Sequence, residues 1–281
     1  MKVTIAIDSF KGSLSTFEAG NAAAEGIKRV YPDAQTVVSP IADGGEGTAQ
    51  AVVSALGGRM INVRVSDPLG RDIVAQYGYI EETATAVMEM SCAAGITLVS
   101  ETERDPMNTT TFGVGQMILD AIKNGCRKFV VGIGGSATND GGVGMLCALG
   151  YEFLDSNGNV VPMGARGLKE LCEIRNNKVI PELSECSFRI ACDVTNPLCG
   201  DTAVVQYTAR RRVQQRKIYR LWTNGSETMR ALQKNFSLMP MRSIPVSVRR
   251  AVWDLHLRNT FRESLFRESV LLCRRQDSRS I

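Results

Sequence analysis

The alternation of apolar and polar positions opens the chain as strand, helix, strand, helix. Residues 3–7 form an apolar run of the length of a buried strand. Ser15 and Glu18 then stand three apart as a capping box, in which each side chain satisfies the other's backbone donor. Ala19, Ala22, Ala23, Ile27 and Val30 follow as a helical stripe. Residues 36–39 predict a second strand and residues 48–55 a second helix. From Ile61 the texture changes. Two runs, 61–65 and 73–80, flank the turn sequence Asp67-Pro68-Leu69-Gly70 and predict a hairpin. Residues 86–90 predict another strand, in which Met88 and Met90 read as core rather than as ligands. Residues 109–124 predict a helix with Phe112, Val114, Met117, Ile118 and Ile122 inward. Gly113 and Gly115 weaken its first turn and suit close approach of a ligand. Phe129, Val130, Val131 and Ile133 have the density of a buried parallel strand, and 143–149 the pattern of a helix. Asn157-Gly158 marks a turn and 188–191 a last strand.

The segment between the strand at 129 and the helix at 143 organises the rest. It reads Gly134, Gly135, Ser136, Ala137, Thr138, Asn139, Asp140, Gly141, Gly142. A strand, a glycine-rich turn and a helix hold anions in α/β proteins, because backbone N–H groups converge there and glycine lets the main chain come close. Ser136, Thr138 and Asp140 add hydrogen-bonding groups and a possible metal ligand. No Gly-Lys-Ser/Thr follows at P-loop spacing, and Ala137 stands at the third glycine of a dinucleotide fingerprint. The loop alone therefore says anion site, with a capped turn as the plainer alternative.

Three other predicted strand ends carry polar groups, at the edge where open α/β sheets bind ligands. Asp8, Ser9 and Lys11 follow the first strand, and Asp43, Gly44, Gly45 and Glu46 follow the second. Asp193 and Asn196 follow the last. Lysine suits a phosphate or carboxylate, and the acids suit Mg²⁺ or a general base; solvated side chains and turn caps are the alternatives. Carboxylates, one lysine and paired glycines together suggest phosphoryl transfer with Mg²⁺. The single histidine is His256, so a histidine-based hydrolase is excluded from the first two hundred residues.

Composition adds class and compartment. A 44% hydrophobic content over 281 residues allows a real core and one large or two ordinary domains. No run of eighteen apolar residues is present, and the chain begins on a strand rather than on a leader pattern. Eight cysteines without CxxC pairing suggest reduced thiols, hence a cytoplasmic protein.

Five motifs, IDSFKGSLS, IADGGEGT, TTFGVGQMI, GIGGSATNDGG and ACDVTNPL, occur in this order along residues 1–200. In order and spacing they resemble the glycerate kinase type-1 family, a class that includes bacterial garate-pathway and glyoxylate-pathway enzymes. One departure is Ile7, where that family usually has proline. The resemblance implies ATP-dependent phosphorylation of D-glycerate to 2-phosphoglycerate, with ATP and Mg²⁺ as cofactors and no membrane or specific nucleic-acid partner. It implies an α/β fold: a flavodoxin-like parallel-sheet domain built from both chain ends, with a second α/β domain of mixed sheet inserted. On that basis residues 1–60 are the first half of the flavodoxin-like domain and residues 61–200 the inserted one. The resemblance carries Lys11, Asp43, Asp140 and Asp193 as catalytic candidates. It carries Asp8, Ser9, Gly44, Gly45, Gly134, Gly135, Ser136, Thr138, Asn139 and Asn196 as substrate- or phosphate-binding candidates. Glu46, Asp43 and Asp193 are the Mg²⁺ candidates. A Mg²⁺-dependent kinase of another small hydroxy acid is a neighbouring reading.

Beyond residue 200 the texture breaks. Residues 1–200 have net charge −7 and residues 201–281 net charge +11, which together make the +4 of the chain. The later part has 15 Arg, 2 Lys and one glycine, Gly225. A basic nucleic-acid-binding extension on a non-catalytic protein is one reading. A shifted reading frame is the other. Rebuilding codons from the third base of each residue and the first two of the next lets residues 206–215 read Val-Tyr-Gly-Pro-Gln-Lys-Gly-Ala-Thr. The same offset lets residues 245–256 read Gly-x-Gly-Ala-Ala-Gly-Gly-Met-Gly-Phe-Ala, where x is not a glycine or a serine. Both match the next motifs of the resembled family, so residues 201–281 are expected to be an out-of-frame basic tail rather than a domain.

Overall fold

A computed structural model describes residues 1–8, 10, 13–41 and 47–191. Its first unit is β1 (Lys2–Ile7), α1 (Thr16–Val30) and β2 (Gln35–Pro40). The two strands pair in parallel, Lys2 opposite Gln35 through Ile7 opposite Pro40. The capping box forms as its spacing requires: the Glu18 amide donates to the Ser15 hydroxyl at 3.2 Å, and the Ser15 amide to the Glu18 carboxylate at 2.8 Å. The buried stripe of α1 differs from the expected one. Thr16, Ala19, Gly20 and Ala24 are buried, whereas Ala22 is exposed and Val30 is 69% exposed. The reason is proximity. A Cβ on Gly20 would lie 2.4 Å from the Val38 side chain, so α1 meets β2 through its smallest residues.

The second unit holds α2 (Thr48–Leu56), β3 (Arg59–Ser66), β4 (Asp72–Ile80), β5 (Thr85–Glu89), the single turn α3 (Ser91–Ala94), α4 (Phe112–Lys123), β6 (Lys128–Gly132) and α5 (Val143–Ala148). It continues with β7 (Glu152–Leu154), β8 (Glu173–Arg175) and β9 (Ser187–Ala191). The main sheet runs β3-β4-β5-β6-β9. β3, β4 and β5 are antiparallel neighbours; β5, β6 and β9 are parallel. The chain is thus α/β, with one parallel sheet and one mixed sheet. The short pair β7–β8 was absent from the expected elements, since three-residue strands leave too little pattern to read. Helix α2 packs on β3, β4 and β5.

The core of this unit lies between one face of the main sheet and helices α4 and α5. Tyr77, Met88, Met117, Phe129, Leu146 and Phe153 are all buried within it. Met88 and Met90 belong to that core, as read from the sequence. Gly113 and Gly115 do mark close approach, though to protein rather than to a ligand. A Cβ on Gly113 would fall 1.9 Å from the Ser66 carbonyl oxygen, and one on Gly115 would fall 2.3 Å from that of Met145. The turn after β3 supports the same region. Asp67 is buried and accepts from the amides of Leu69 (2.8 Å) and Arg71 (2.9 Å), and the Pro68 carbonyl accepts from the Thr110 amide at 2.9 Å. Burial pushes the Asp67 carboxyl up, but hydrogen bonds from Arg71 and Leu69 and the Arg71 charge outweigh it and hold the group below its ordinary value.

Three substitutions check this packing. Gly113→Ala should lower the unfolding free energy by roughly 1–3 kcal/mol in urea titrations, since backbone must move to admit the methyl. Gly26→Ala, on an open face of α1, should be neutral or stabilising by up to about 1 kcal/mol. Asp67→Asn should cost about 1–2 kcal/mol at neutral pH. Because the folded group titrates below its unfolded value of about 3.9, that difference should shrink as the pH falls below about 4. A cost independent of pH would assign the effect to packing instead.

Candidate active site

The glycine-rich segment leaves the carboxyl end of β6, and the polypeptide after β5 is laced to it. The Met90 amide donates to Gly132 O at 2.8 Å, the Ile96 amide to Gly135 O at 2.8 Å and the Ala137 amide to Ala94 O at 2.8 Å. β9 ends beside it, with the Ile133 amide donating to Ala191 O at 3.3 Å. Gly135 takes a left-handed backbone (φ 70°) that glycine adopts without strain, and it is exposed. Gly134 and Asn139 are half-buried. Ser136 and Thr138 are buried and bond each other, Oγ to Oγ1 at 2.9 Å, while the Thr138 amide donates back to Ser136 Oγ at 3.0 Å. Thr109 Oγ1 fixes the loop from below by donating to Ala137 O at 2.9 Å.

Among the described site residues Asp140 is the most enclosed, 1% exposed. Its Oδ2 accepts from the Thr111 amide (2.8 Å), Thr111 Oγ1 (2.9 Å), the Gly144 amide (3.1 Å) and Thr110 Oγ1 (3.2 Å). Its Oδ1 accepts from the Gly142 amide at 3.1 Å. Thr111 Oγ1 in turn accepts from the Met145 amide at 2.9 Å. The carboxylate thus sits where the starts of α4 and α5 converge, in the place an anion would take at either helix. Sequence reading gave Asp140 a metal- or proton-handling role and gave the helix start to an external anion. In the structure the carboxylate is engaged by the chain itself. Its oxygens accept from protein donors, and at the start of α5 the Gly142 and Gly144 amides go to this carboxylate, the Val143 amide to Asp140 O and the Met145 amide to Thr111 Oγ1. Within 134–140, exposed Gly135 and half-buried Gly134 and Asn139 are the loop residues left open to solvent.

The expected residues therefore separate. Gly134, Gly135, Ser136, Thr138, Asn139 and Asp140 share one loop. Asp8 follows β1 in the two-stranded sheet, at the edge from which the chain also leaves β2, since the Ile41 amide donates to Ile7 O at 3.0 Å. Ser9, Lys11, Asp43, Gly44, Gly45, Glu46, Asp193 and Asn196 lie outside the described residues, as does the whole basic tail. Among the described residues, no group of three His, Cys, Asp or Glu side chains is arranged to hold a metal, so the Mg²⁺ candidates rest on chemistry alone. Sequence reasoning missed Thr110 and Thr111 as partners of Asp140; the run of three threonines ahead of a helix was the available signal. It also missed Glu89, a buried acid closing β5.

Ligand loops at the carboxyl edges of a partly parallel sheet define an α/β protein built to bind at those edges. The model of the glycerate kinase family matches residues 3–241, past the residue-200 limit of the five motifs. The chain belongs to the glycerate kinase family. It is 46% identical over 201 residues to the glycerate 2-kinase of Escherichia coli K12, covering 72% of this chain and 53% of that protein. It is 45% identical over 200 residues to the glycerate kinase of Bacillus subtilis 168, covering 71% of this chain and 52% of that one. A crystal structure of a putative glycerate kinase 2 from Salmonella typhimurium LT2 superposes with a TM-score of 0.74 at 38% identity, covering 84% of this chain and 63% of that chain. The chain spans about half the length of the curated relatives it matches. No helix among the described residues is long and apolar enough to cross a membrane.

The Asp140 hub is directly testable. Asp140→Asn puts an amide NH₂ among five donors, so at least one of them loses its acceptor. The unfolding free energy should fall by about 2–4 kcal/mol in denaturant titrations. A loss under about 0.5 kcal/mol would mean the carboxylate is not what holds the two helix starts.

Proposed function

We propose that this chain descends from, and in its first two hundred residues encodes, a kinase that moves the γ-phosphoryl group of ATP to the 2-hydroxyl of D-glycerate in the cytoplasm. The observation that carries this is the ordered set of glycine-rich and acidic turns in a chain of the glycerate kinase family. The printed name of the E. coli relative, glycerate 2-kinase, supports 2-phosphoglycerate over 3-phosphoglycerate as product.

Roles follow from charge and chemistry. Lys11, Asp8 and Ser9, with the Gly44–Gly45 and Gly134–Gly135 backbones, would bind phosphate and carboxylate oxygens. Asn139 and Asn196 would add neutral donors, and Ser136 and Thr138 would hold the loop in shape. Asp43, Glu46 and Asp193 would hold Mg²⁺, which supplies charge neutralisation on the phosphates. The glycerate hydroxyl attacks the γ-phosphorus, the bond to the bridging oxygen breaks, ADP leaves, and the hydroxyl proton passes to Asp43 or Asp193. Asp140 acts by positioning, through Thr110, Thr111 and the start of α5.

In this proposal the tail after Gly200 is out of frame and does not carry the family's continuation of the flavodoxin-like domain. Among the described residues β1 has β2 as its strand partner, and two parallel strands make a poor independent sheet. Phosphoryl transfer depends on positioning, so the 281-residue chain should turn over little. A gene with the frame restored near residues 200–205 should give glycerate-dependent ADP release with Mg²⁺ and ATP, and Asp43→Asn should lower its kcat about a hundredfold or more. Folded frame-restored protein without glycerate-dependent ADP release would refute the proposed reaction. Equal turnover by the 281-residue chain would refute the frame reading.

A further inference from the structure

Glu89 has no place in the reaction just described, yet its position is specific. It is the last residue of β5 and 5% exposed, opposite Gly132 at the end of β6 in the parallel register. Its Oε1 accepts from the Ala49 amide at 2.8 Å across forty residues of sequence. Ala49 is the second residue of α2, whose N-cap is Gly47, with a left-handed backbone (φ 91°) and no side chain to accept from the helix. A helix start without its own cap leaves amide donors to be satisfied from elsewhere and favours a negative charge beside them. Glu89 supplies both. The surroundings argue against a solvated acid: Ala49, Ile80 and Val87 form a small apolar cluster here, with Val52, Met60 and Val130 packed on it. A buried carboxylate in such a place is tolerable only when hydrogen-bonded to compensating donors.

The strand that ends at Glu89 also continues into the glycine-rich loop's support. Residues 90–96 donate to Gly132 and Gly135 and accept from Ala137. One residue therefore joins the start of α2 to the polypeptide that braces the loop at 134–140. Glu46 is two residues ahead of α2 in the sequence, and Asp43 five ahead.

We propose that Glu89 is a positioning residue: by capping α2 from the end of β5 it ties the start of α2 to the polypeptide that braces the glycine-rich loop. The inference rests on the proposed kinase reading for its catalytic consequence, but its structural half stands without it. In the 281-residue chain, Glu89→Ala should speed amide exchange at residues 49–52 about tenfold, the size of a lost cap, while Val130 and Val131 keep their protection. Glu89→Gln keeps an acceptor and should restore most of that protection. In the frame-restored chain, Glu89→Ala should lower kcat about tenfold or more with the KM for ATP changed less than about threefold, and Glu89→Gln should recover turnover to within about threefold of the parent. Unchanged exchange at 49–52 in Glu89→Ala would overturn the cap. Altered exchange with parental kcat would overturn the positioning role, and so would a Gln variant as impaired as the Ala variant, which would make the charge itself the working part. If the parent shows no glycerate-dependent turnover at all, the kinase reading fails, while the exchange result still decides the cap.

Discussion

One buried charge sets the arrangement of the second unit. The Asp140 carboxylate, withdrawn from water, is an expensive group to hold unless donors surround it. Here they come from two helix starts at once, the amides of Thr111, Gly142 and Gly144 with the hydroxyls of Thr110 and Thr111. Each helix start brings unpaired N–H groups and partial positive charge to the same point, so one carboxylate serves both. The neighbouring residues follow from that convergence. A Cβ on Gly144 would come 2.1 Å from Thr110 Oγ1 and 2.8 Å from Asp140 Oδ2, so only glycine lets α5 start there. Gly115 faces Met145 across the same crossing, and Gly113 brings α4 onto the end of β3.

The functional consequence is a division of labour inside a single loop. In its second half Ser136, Thr138 and Asp140 form an internal anchor, bonded to protein. Its first half, Gly134 and Gly135, projects from the end of β6, held from one side by residues 90–96 and from below by Thr109. A loop so fixed can present backbone groups to a ligand without paying for their ordering at binding, the advantage of preorganisation. Glu89 extends the same logic to the start of α2.

Much of this was legible in the sequence, and the rest was hidden for identifiable reasons. Capping box, hairpin, core methionines and the strand before the glycine loop all depend on near neighbours, and the structure has them. The stripe of α1 was misjudged because apolar size was weighed above fit; the helix meets β2 through Gly20 and its small neighbours, leaving Val30 outside. Gly113 and Gly115 were correctly singled out for close approach, but sequence cannot say what approaches. The partners of Asp140 lie about thirty residues away at Thr110 and Thr111, and that of Glu89 lies forty away at Ala49. No local pattern announces such pairs. The sequence left an anion site and a capped turn both open, and the structure gives Ser136, Thr138 and Asp140 protein partners.

The central claim, that Asp140 ties two helix starts together, predicts where protection from solvent exchange should be found. Residue-resolved amide hydrogen exchange on the 281-residue chain reads it directly. The amides of Thr111, Gly142, Gly144 and Met145 belong to helix starts and a loop, where exchange is ordinarily fast. If the carboxylate and the Thr111 hydroxyl hold them, they should exchange as slowly as Val130 and Val131 in the centre of the sheet. Exchange at those four amides as fast as at the exposed Asn157–Gly158 turn would contradict the account.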